Sequence, residues 1–371
     1  MSKPPLLVFA YAFPHRKTQD FLLSLRLDGF HSVTVIAAPK VELVHSDPTS
    51  YFSTSLRRRS PADTERVCAA LGFAFLPCEH GEVTAISDLV SQSGARIALI
   101  SGARILKPAI IDLFSDGIIN IHPGILPATS GLDAFYYTIT KGVAAGATAH
   151  FIDGRVDAGE EILFEQTPIG PEDTPEIVAE NSYQSQLIAL HRVLQELQTG
   201  TIRRTPILRE RKNQPMLPDE KRNAIARFAS WRNAQYVRQL GEELVRACEA
   251  GDTTTAGAIL EQMPALIEHR NEKGWSPLIC ASFKQHLETV KMLLAKGADP
   301  DGANANGTTP LMYAKTQSLH QAASDYPVLS ALLAAGARLD RCDVSGCDIF
   351  HYVRAAGDEQ MLAWLMARRE R

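Results

Sequence analysis

Apolar positions set two different rhythms along the chain. Up to about Gly200, short runs rich in Val, Ile, Leu and Phe alternate with amphipathic stretches. The runs are Leu6–Ala10, Ser32–Ala37, Gly72–Leu76, Arg96–Ile100 and Gly117–Asn120; the stretches between them include Thr18–Leu27, Pro61–Leu71 and Val83–Gln92. Near-continuous apolar strands separated by helices predict a parallel sheet covered on both faces. Two more strands, Ala147–Ile152 and Glu161–Phe164, precede a helix expected from about Pro175 to Leu197. The first half is therefore read as a doubly wound α/β domain over residues 1–200, complete by that helix, so that a fragment ending near 195–200 should keep its core and its ligand site.

After Gly200 the texture changes. Between Thr201 and Asn223 seven basic residues, Arg203 to Arg222, sit among Pro206, Pro215 and Pro218. Residues 201–241 are read as a linker or hairpin region, with a partner-binding strip as the other option. Residues 242–371 then repeat themselves. Ser276-Pro-Leu-Ile-Cys-Ala281 returns 33 residues later as Thr309-Pro-Leu-Met-Tyr-Ala314, and Gly274, Gly307 and Gly346 mark equivalent turns, the last spacing being 39 residues. The six extra residues are placed within Thr316–Pro327. The period and signature resemble ankyrin repeats, with Ile279 and Met312 standing where that signature has His. An all-α stack with end caps at Glu242–Trp275 and Asp348–Arg371 is expected, because each unit buries its apolar face only against its neighbours.

Composition narrows the classes further. With 38 Lys and Arg against 42 Asp and Glu, the net charge is −4, which argues against a partnership with nucleic acid. No apolar run approaches the roughly 20 residues that span a bilayer, so no membrane partner is expected. The N-terminus has no signal-peptide pattern, and the six scattered cysteines form no CxxC pair. Reduced structural thiols, no metal site and a cytoplasmic location follow as expectations.

Chemistry concentrates between Ser101 and Gly159. Asn120 and His122 lie two apart at the carboxyl end of a strand, so their side chains share one side, and that end borders the ligand crevice of a doubly wound sheet. A carboxamide can donate to a developing oxyanion, and an imidazole can move a proton near neutral pH. Asp157, in a glycine-bounded loop, could orient that imidazole. Each of these residues alone would more often be structural; their ordered arrival around one sheet end gives them weight.

The same residues identify a family resemblance. Asn120, His122, Pro123, Leu126 and Pro127 spell Asn-x-His-Pro-x-x-Leu-Pro, and Gly146, Thr148, His150, Asp157 and Gly159 fit the loop that follows it in the folate-dependent formyltransferases. Ala149 and Gly154 depart from the usual loop. The resemblance spans about residues 5–200. It implies a one-carbon transferase that carries a formyl group from N10-formyltetrahydrofolate, a co-substrate, to an amine. In that reading Asn120 polarises the formyl oxygen and stabilises the tetrahedral intermediate, His122 assists proton transfer, and Asp157 orients His122. Gly102, Arg104, Ile105 and Leu106 would line the pterin site on one side, with Ile152 to Gly159 closing the other. Ordinary core packing is the competing account of Ile105 and Leu106. The resemblance also implies a cis Leu126–Pro127 bond.

The resemblance implies a small-molecule amine as the acceptor. The glycine-rich phosphate loop of glycinamide ribonucleotide enzymes is replaced here by Ala10-Tyr-Ala-Phe-Pro-His-Arg-Lys-Thr18, and no basic β-barrel of the methionyl-tRNA type follows. Some sugar-nucleotide N-formyltransferases carry an ankyrin extension, so the resemblance points first to a nucleotide-linked amino sugar. An ornithine-type or antibiotic-precursor amine, or a catalytically silent ankyrin scaffold, stand as alternatives. His15, Arg16 and Lys17 could meet an acceptor phosphate or carboxylate, or simply begin a solvated helix. The repeats could hold a protein partner or a second nucleotide ligand, with Trp275, Tyr313 and Phe350 as stacking or packing aromatics. A homodimer is left open.

Overall fold

The structure, a computed structural model, describes residues 3–40, 60–103, 105–155, 157–208, 211–319 and 325–369. Two compact units divide between Gln235 and Tyr236.

In the first unit the apolar runs become strands β1 (Leu6–Tyr11), β2 (Val33–Ala38), β3 (Ala74–Pro77), β4 (Ile97–Ile100) and β5 (Gly117–His122). They are followed by β6 (Gly146–Phe151), β7 (Glu160–Gln166) and β8 (Thr205–Pro206). All eight join one sheet in the order β3-β2-β1-β4-β5-β6-β7-β8. β1 to β5 pair in parallel, whereas β5 to β8 pair antiparallel, so the sheet is mixed. The amphipathic stretches fold as α1 (Arg16–Leu27), α2 (Thr64–Leu71), α3 (Val83–Ser93), α4 (Pro108–Ile111), α5 (Ala134–Lys141) and α6 (Pro175–Thr199).

The run beginning at Leu6 is apolar throughout because both of its faces are covered. Leu6, Val8 and Ala10 pack with Phe21, Leu22 and Leu25 of α1 and Ala189, Leu190 and Val193 of α6. Leu7 and Phe9 face the other layer, with Ile86, Ile110 and Phe114. Leaving β1, the chain winds outward through β2 and β3, then returns to lay β4 on the other side of β1. In sheets with such a reversal, ligands usually sit beyond the carboxyl ends of the strands.

Residues 201–235 correct the expected boundary. They are not a free linker: β8 extends the sheet, α7 (Pro218–Ala226) follows, and the chain leaves the unit within α8 (Phe228–Ala250). Met216 and Ala224 are buried against Tyr136 of α5, Tyr137 Oη donates to the Gln214 carbonyl at 2.7 Å, and Trp231 Nε1 donates to the Val143 carbonyl at 3.0 Å. The α/β unit thus extends about 35 residues past the point where its core looked complete in sequence.

The second unit is helical, and its repeats have a visible cause. Ser276 and Thr309 cap their helices by accepting from the amides of Ile279 and Met312, with Pro277 and Pro310 in the first turn, where a missing N–H costs nothing. Just upstream, Asn271, Asn304 and Asp343 each accept two backbone amides with one side-chain oxygen. Gly274, Gly307 and Gly346 follow in the left-handed region that those turns require. A single apolar cluster, from Leu244 through Leu293 and Leu332 to Leu365, runs the length of the unit. Trp275 packs on Tyr313 and Phe283, ring centroids 4.6 and 5.3 Å apart, and Phe350 is buried. Of Thr316–Pro327, the expected place of the extra residues between repeats, 320–324 lie outside the described residues. All six cysteines are free, and among the described residues no helix is long and apolar enough to cross a membrane.

Candidate active site

A cavity of about 570 Å³ lies beside the carboxyl ends of β4 and β5. β5 delivers Asn120 and His122 to it, and the loop between β6 and β7 brings Asp157, so the three residues singled out in sequence meet on one wall. Asp157 sits at φ 48°, an uncommon conformation for a residue with a side chain. Two residues later, a Cβ on Gly159 would run into the Phe151 carbonyl, so only glycine lets the loop close this tightly.

Hydrogen bonds define what each group can do. His122 Nε2 lies 2.9 Å from the Thr129 carbonyl oxygen, which can only accept, so that nitrogen carries a proton. Nδ1 faces Asp157 Oδ2 at 3.5 Å and is the nitrogen left to exchange protons. Asp157 Oδ2 also accepts from the Gly131 amide at 2.5 Å. Burial works against its charge, but the His122 ring and the Gly131 amide outweigh it and hold the carboxyl at about 2.

Asn120 is oriented by a residue of the neighbouring strand. Across the β5–β6 register it pairs with His150, whose Nδ1 donates to the Ala158 carbonyl at 3.1 Å. That bond leaves Nε2 as an acceptor, 3.3 Å from Asn120 Nδ2. The amide nitrogen, not the oxygen, must therefore point at His150, and its second proton remains for a ligand. Burial, reinforced by the nearby His122, pushes His150 down to about 4 and keeps it a neutral acceptor. On unfolding, the ring regains its ordinary value near 6.5. Between those values the unfolded chain binds more protons, so the contribution of His150 to stability is full above 6.5 and is lost as pH falls towards 4. Urea midpoints should drop between about pH 7.5 and about pH 5, and less so in His150→Gln.

The expected pterin-side residues divide. Ile105, Leu106 and Ile152 line the cavity, and Ile105 is 71% exposed there, with Leu132 across the opening at 62%. Such exposure argues against core packing for Ile105, whereas Leu106 is also buried in the core. Arg104 lies outside the described residues. Gly102 is not on the cavity wall; it packs against the Tyr11 ring, which a Cβ would meet at 2.8 Å. Nor do the expected acceptor contacts line it. His15 accepts from the Thr18 amide as the cap of α1. Arg16 is spent on a bidentate pair with Glu180 at 2.7 and 2.8 Å and stacks over Tyr183. Half-buried Lys17 donates to the Ile121 carbonyl at 2.7 Å; burial lowers it to about 8 against the attraction of Asp157. Thr148 braces the Pro-rich loop through the Gly124 carbonyl at 2.6 Å, and the Leu126–Pro127 bond is cis.

Sequence reasoning missed two contributors. Thr129 and Gly131 act through backbone atoms, which no side-chain pattern advertises. Lys212, Asn213 and Pro215 reach the cavity from the segment read as a linker.

With this geometry established, comparison with known proteins is direct. Residues 40–194 match the formyl transferase family, and residues 244–318 match ankyrin repeats. The chain carries a formyl transferase domain followed by ankyrin repeats. Over 96 residues, 25% of this chain and 45% of the relative, it is 35% identical to phosphoribosylglycinamide formyltransferase of Haemophilus influenzae. It is 31% identical to the trifunctional purine biosynthetic protein adenosine-3 of Chironomus tentans over 34% of this chain and 9% of that protein. A probable E3 ubiquitin-protein ligase, XBOS33 of Oryza sativa, is 35% identical over 34% of this chain and 24% of its own length. A solved sugar N-formyltransferase from a Shewanella species aligns at 19% identity and a TM-score of 0.40, covering 58% of this chain and 78% of that one. The chain spans less than half the length of these curated relatives. Asn120, His122 and Asp157 all lie within the residues that match the formyl transferase family, and all three line the cavity.

Proposed function

We propose that the protein transfers a formyl group from N10-formyltetrahydrofolate to a primary amine, with a nucleotide-linked amino sugar as the preferred acceptor. The observation that carries this reading is the convergence of Asn120, His122 and Asp157 on a cavity whose remaining wall is largely apolar. Its volume, about 570 Å³, suits a folate-sized ring system, and Ile105, Leu106 and Ile152 supply the apolar contacts a pterin needs. The folate supplies the formyl carbon. The unspent amide proton of Asn120 would donate to the formyl oxygen as negative charge builds there. Asp157 and His122 Nδ1 would take the proton that the amine loses on attack and return one to the departing folate nitrogen.

The acceptor reading rests on the turn after β1. There Tyr11 and Phe13 stack at 4.9 Å with the His15 ring edge-on to both, in place of the glycines that would let a phosphate loop present backbone amides. The His122–Asp157 pair and the Asn120 amide oriented by His150 disfavour a silent scaffold. For the repeats we propose a protein partner, since Trp275 packs on its own neighbours. The deciding experiment supplies N10-formyltetrahydrofolate with nucleotide-linked amino sugars, ornithine-type amines and other free amines, and follows a one-formyl mass gain. Gain on amino sugars alone is the expected result; gain only on free amines would overturn the acceptor assignment, and gain on none would overturn the activity.

A further inference from the structure

One turn, residues 128–131, supplies both backbone groups that orient the proton-handling pair. Thr129 gives the carbonyl that takes His122 Nε2–H, and Gly131 gives the amide that binds Asp157. Besides its local bonds to Ile125 and Pro127, this turn is braced by a residue from outside 40–194. Asn213 Nδ2 donates to the carbonyls of Ala128 at 2.9 Å and Ser130 at 3.0 Å, spending both amide protons. Its Oδ1 accepts from Lys141 Nζ at 2.7 Å, and the same ammonium donates to the Ala128 carbonyl, also at 2.7 Å. The carboxamide thus has only one workable orientation. The backbone fits as closely: at Gly131, with φ 88°, a Cβ would stand 2.9 Å from the Asn213 carbonyl oxygen.

We infer that Asn213 is a positioning residue for the transfer reaction, setting the His122–Asp157 geometry through the 128–131 turn. Its own polar atoms are committed to protein, so it acts through the turn although it also lines the cavity. The neighbouring chain is held independently, by Tyr137 on the Gln214 carbonyl and by Asp133, which accepts from the Met216 amide at 2.9 Å. Losing the Asn213 side chain should therefore loosen the turn without detaching the segment. The inference rests on the proposed activity for its rate readout alone.

The test uses the full-length protein and two kinds of measurement. Asn213→Asp keeps the shape but turns both donors into acceptors facing carbonyls. Its kcat for formyl transfer should fall about 10- to 100-fold, with each KM within about threefold, the pattern of misplaced catalytic groups. In a His122→Ala background the same change should cost about twofold or less, because the group it positions is gone. Independently of turnover, nitrogen-15 spectra of the histidine side chains, with His122 assigned from His122→Gln, should show a protected Nε2–H in the parent and faster exchange in Asn213→Asp. Lys141→Met, on the outer side of the carboxamide, should give a smaller change in the same direction and serves if Asn213→Asp fails to fold. Unchanged kcat together with an unchanged Nε2–H signal would overturn the inference, as would a full additive loss in the His122→Ala background. Faster exchange in Asn213→Asp, where the parent formylates no amine, would uphold the positioning role while rejecting the proposed reaction.

Discussion

His122→Ala is expected to lower formyl transfer by about 10²-fold or more while leaving folate-analogue binding within a few-fold of the parent, since proton transfer by a positioned side chain contributes on this scale. Asp157→Asn should cost at least as much for a different reason. It keeps the shape that accepts from Gly131 but removes the charge facing His122 Nδ1, and with it the proposed partner of His122 in proton transfer. Asn120→Ala removes a donor aimed at the developing oxyanion, a loss of about 10²–10³ in turnover where such donors have been deleted. It also strips the His150 Nε2 lone pair of its partner. Because the three groups act on one proton and one oxygen, the double variant His122→Ala/Asp157→Asn should be scarcely slower than either single one. Steady-state kinetics on the acceptor identified by mass, with thermal midpoints as a folding control, would decide this. A folded His122→Ala protein with turnover near that of the parent would falsify the assignment.

Truncation should be equally severe. A fragment ending at Gly200 loses β8, the Asn213 bonds and the side chains of Met216, Phe228 and Trp231, all buried. At roughly 1.5–3 kcal/mol for each large apolar side chain, these three alone represent about 5–9 kcal/mol, comparable with the whole stability of an ordinary domain. Such a fragment should be insoluble, or partly folded without folate-analogue binding. One ending at Gln235 keeps the contacts from Arg232 to the Asp173 carbonyl and from Gln235 to the Gly142 carbonyl, at 3.2 and 3.0 Å. It should fold and bind. Circular dichroism, size exclusion and calorimetry with a folate analogue compare the two. Equal binding by both fragments would show that residues 201–235 are dispensable to the cavity.

What was legible in sequence follows from how each part is stabilised. β1, β2 and β4 are buried on both faces, so their apolar runs are unbroken and their boundaries fall within a residue or two of expectation. Asn120, His122 and Asp157 were readable because side chains carry their chemistry. The change to antiparallel pairing after β5 has no local signature, since β6 is buried along its whole length, much as the parallel strand β1 is. Residues 201–235 were misread because they are anchored by separate contacts at irregular spacing, Asn213, Met216 and Trp231, amid basic and proline-rich sequence. Arg16 looked available because its partner, Glu180, lies 164 positions away.

The two outermost strands bear on how copies of this chain can meet. β3 is four residues long and ends in Pro77; β8 is two residues long and one of them is Pro206. A proline offers no N–H to an incoming strand, and so short a rim gives little backbone to bind. Neither border of the sheet can readily template a further strand, so runaway lateral growth of the sheet is discouraged. Self-association, where it occurs, is therefore directed to side-chain surfaces and away from the sheet's two backbone borders.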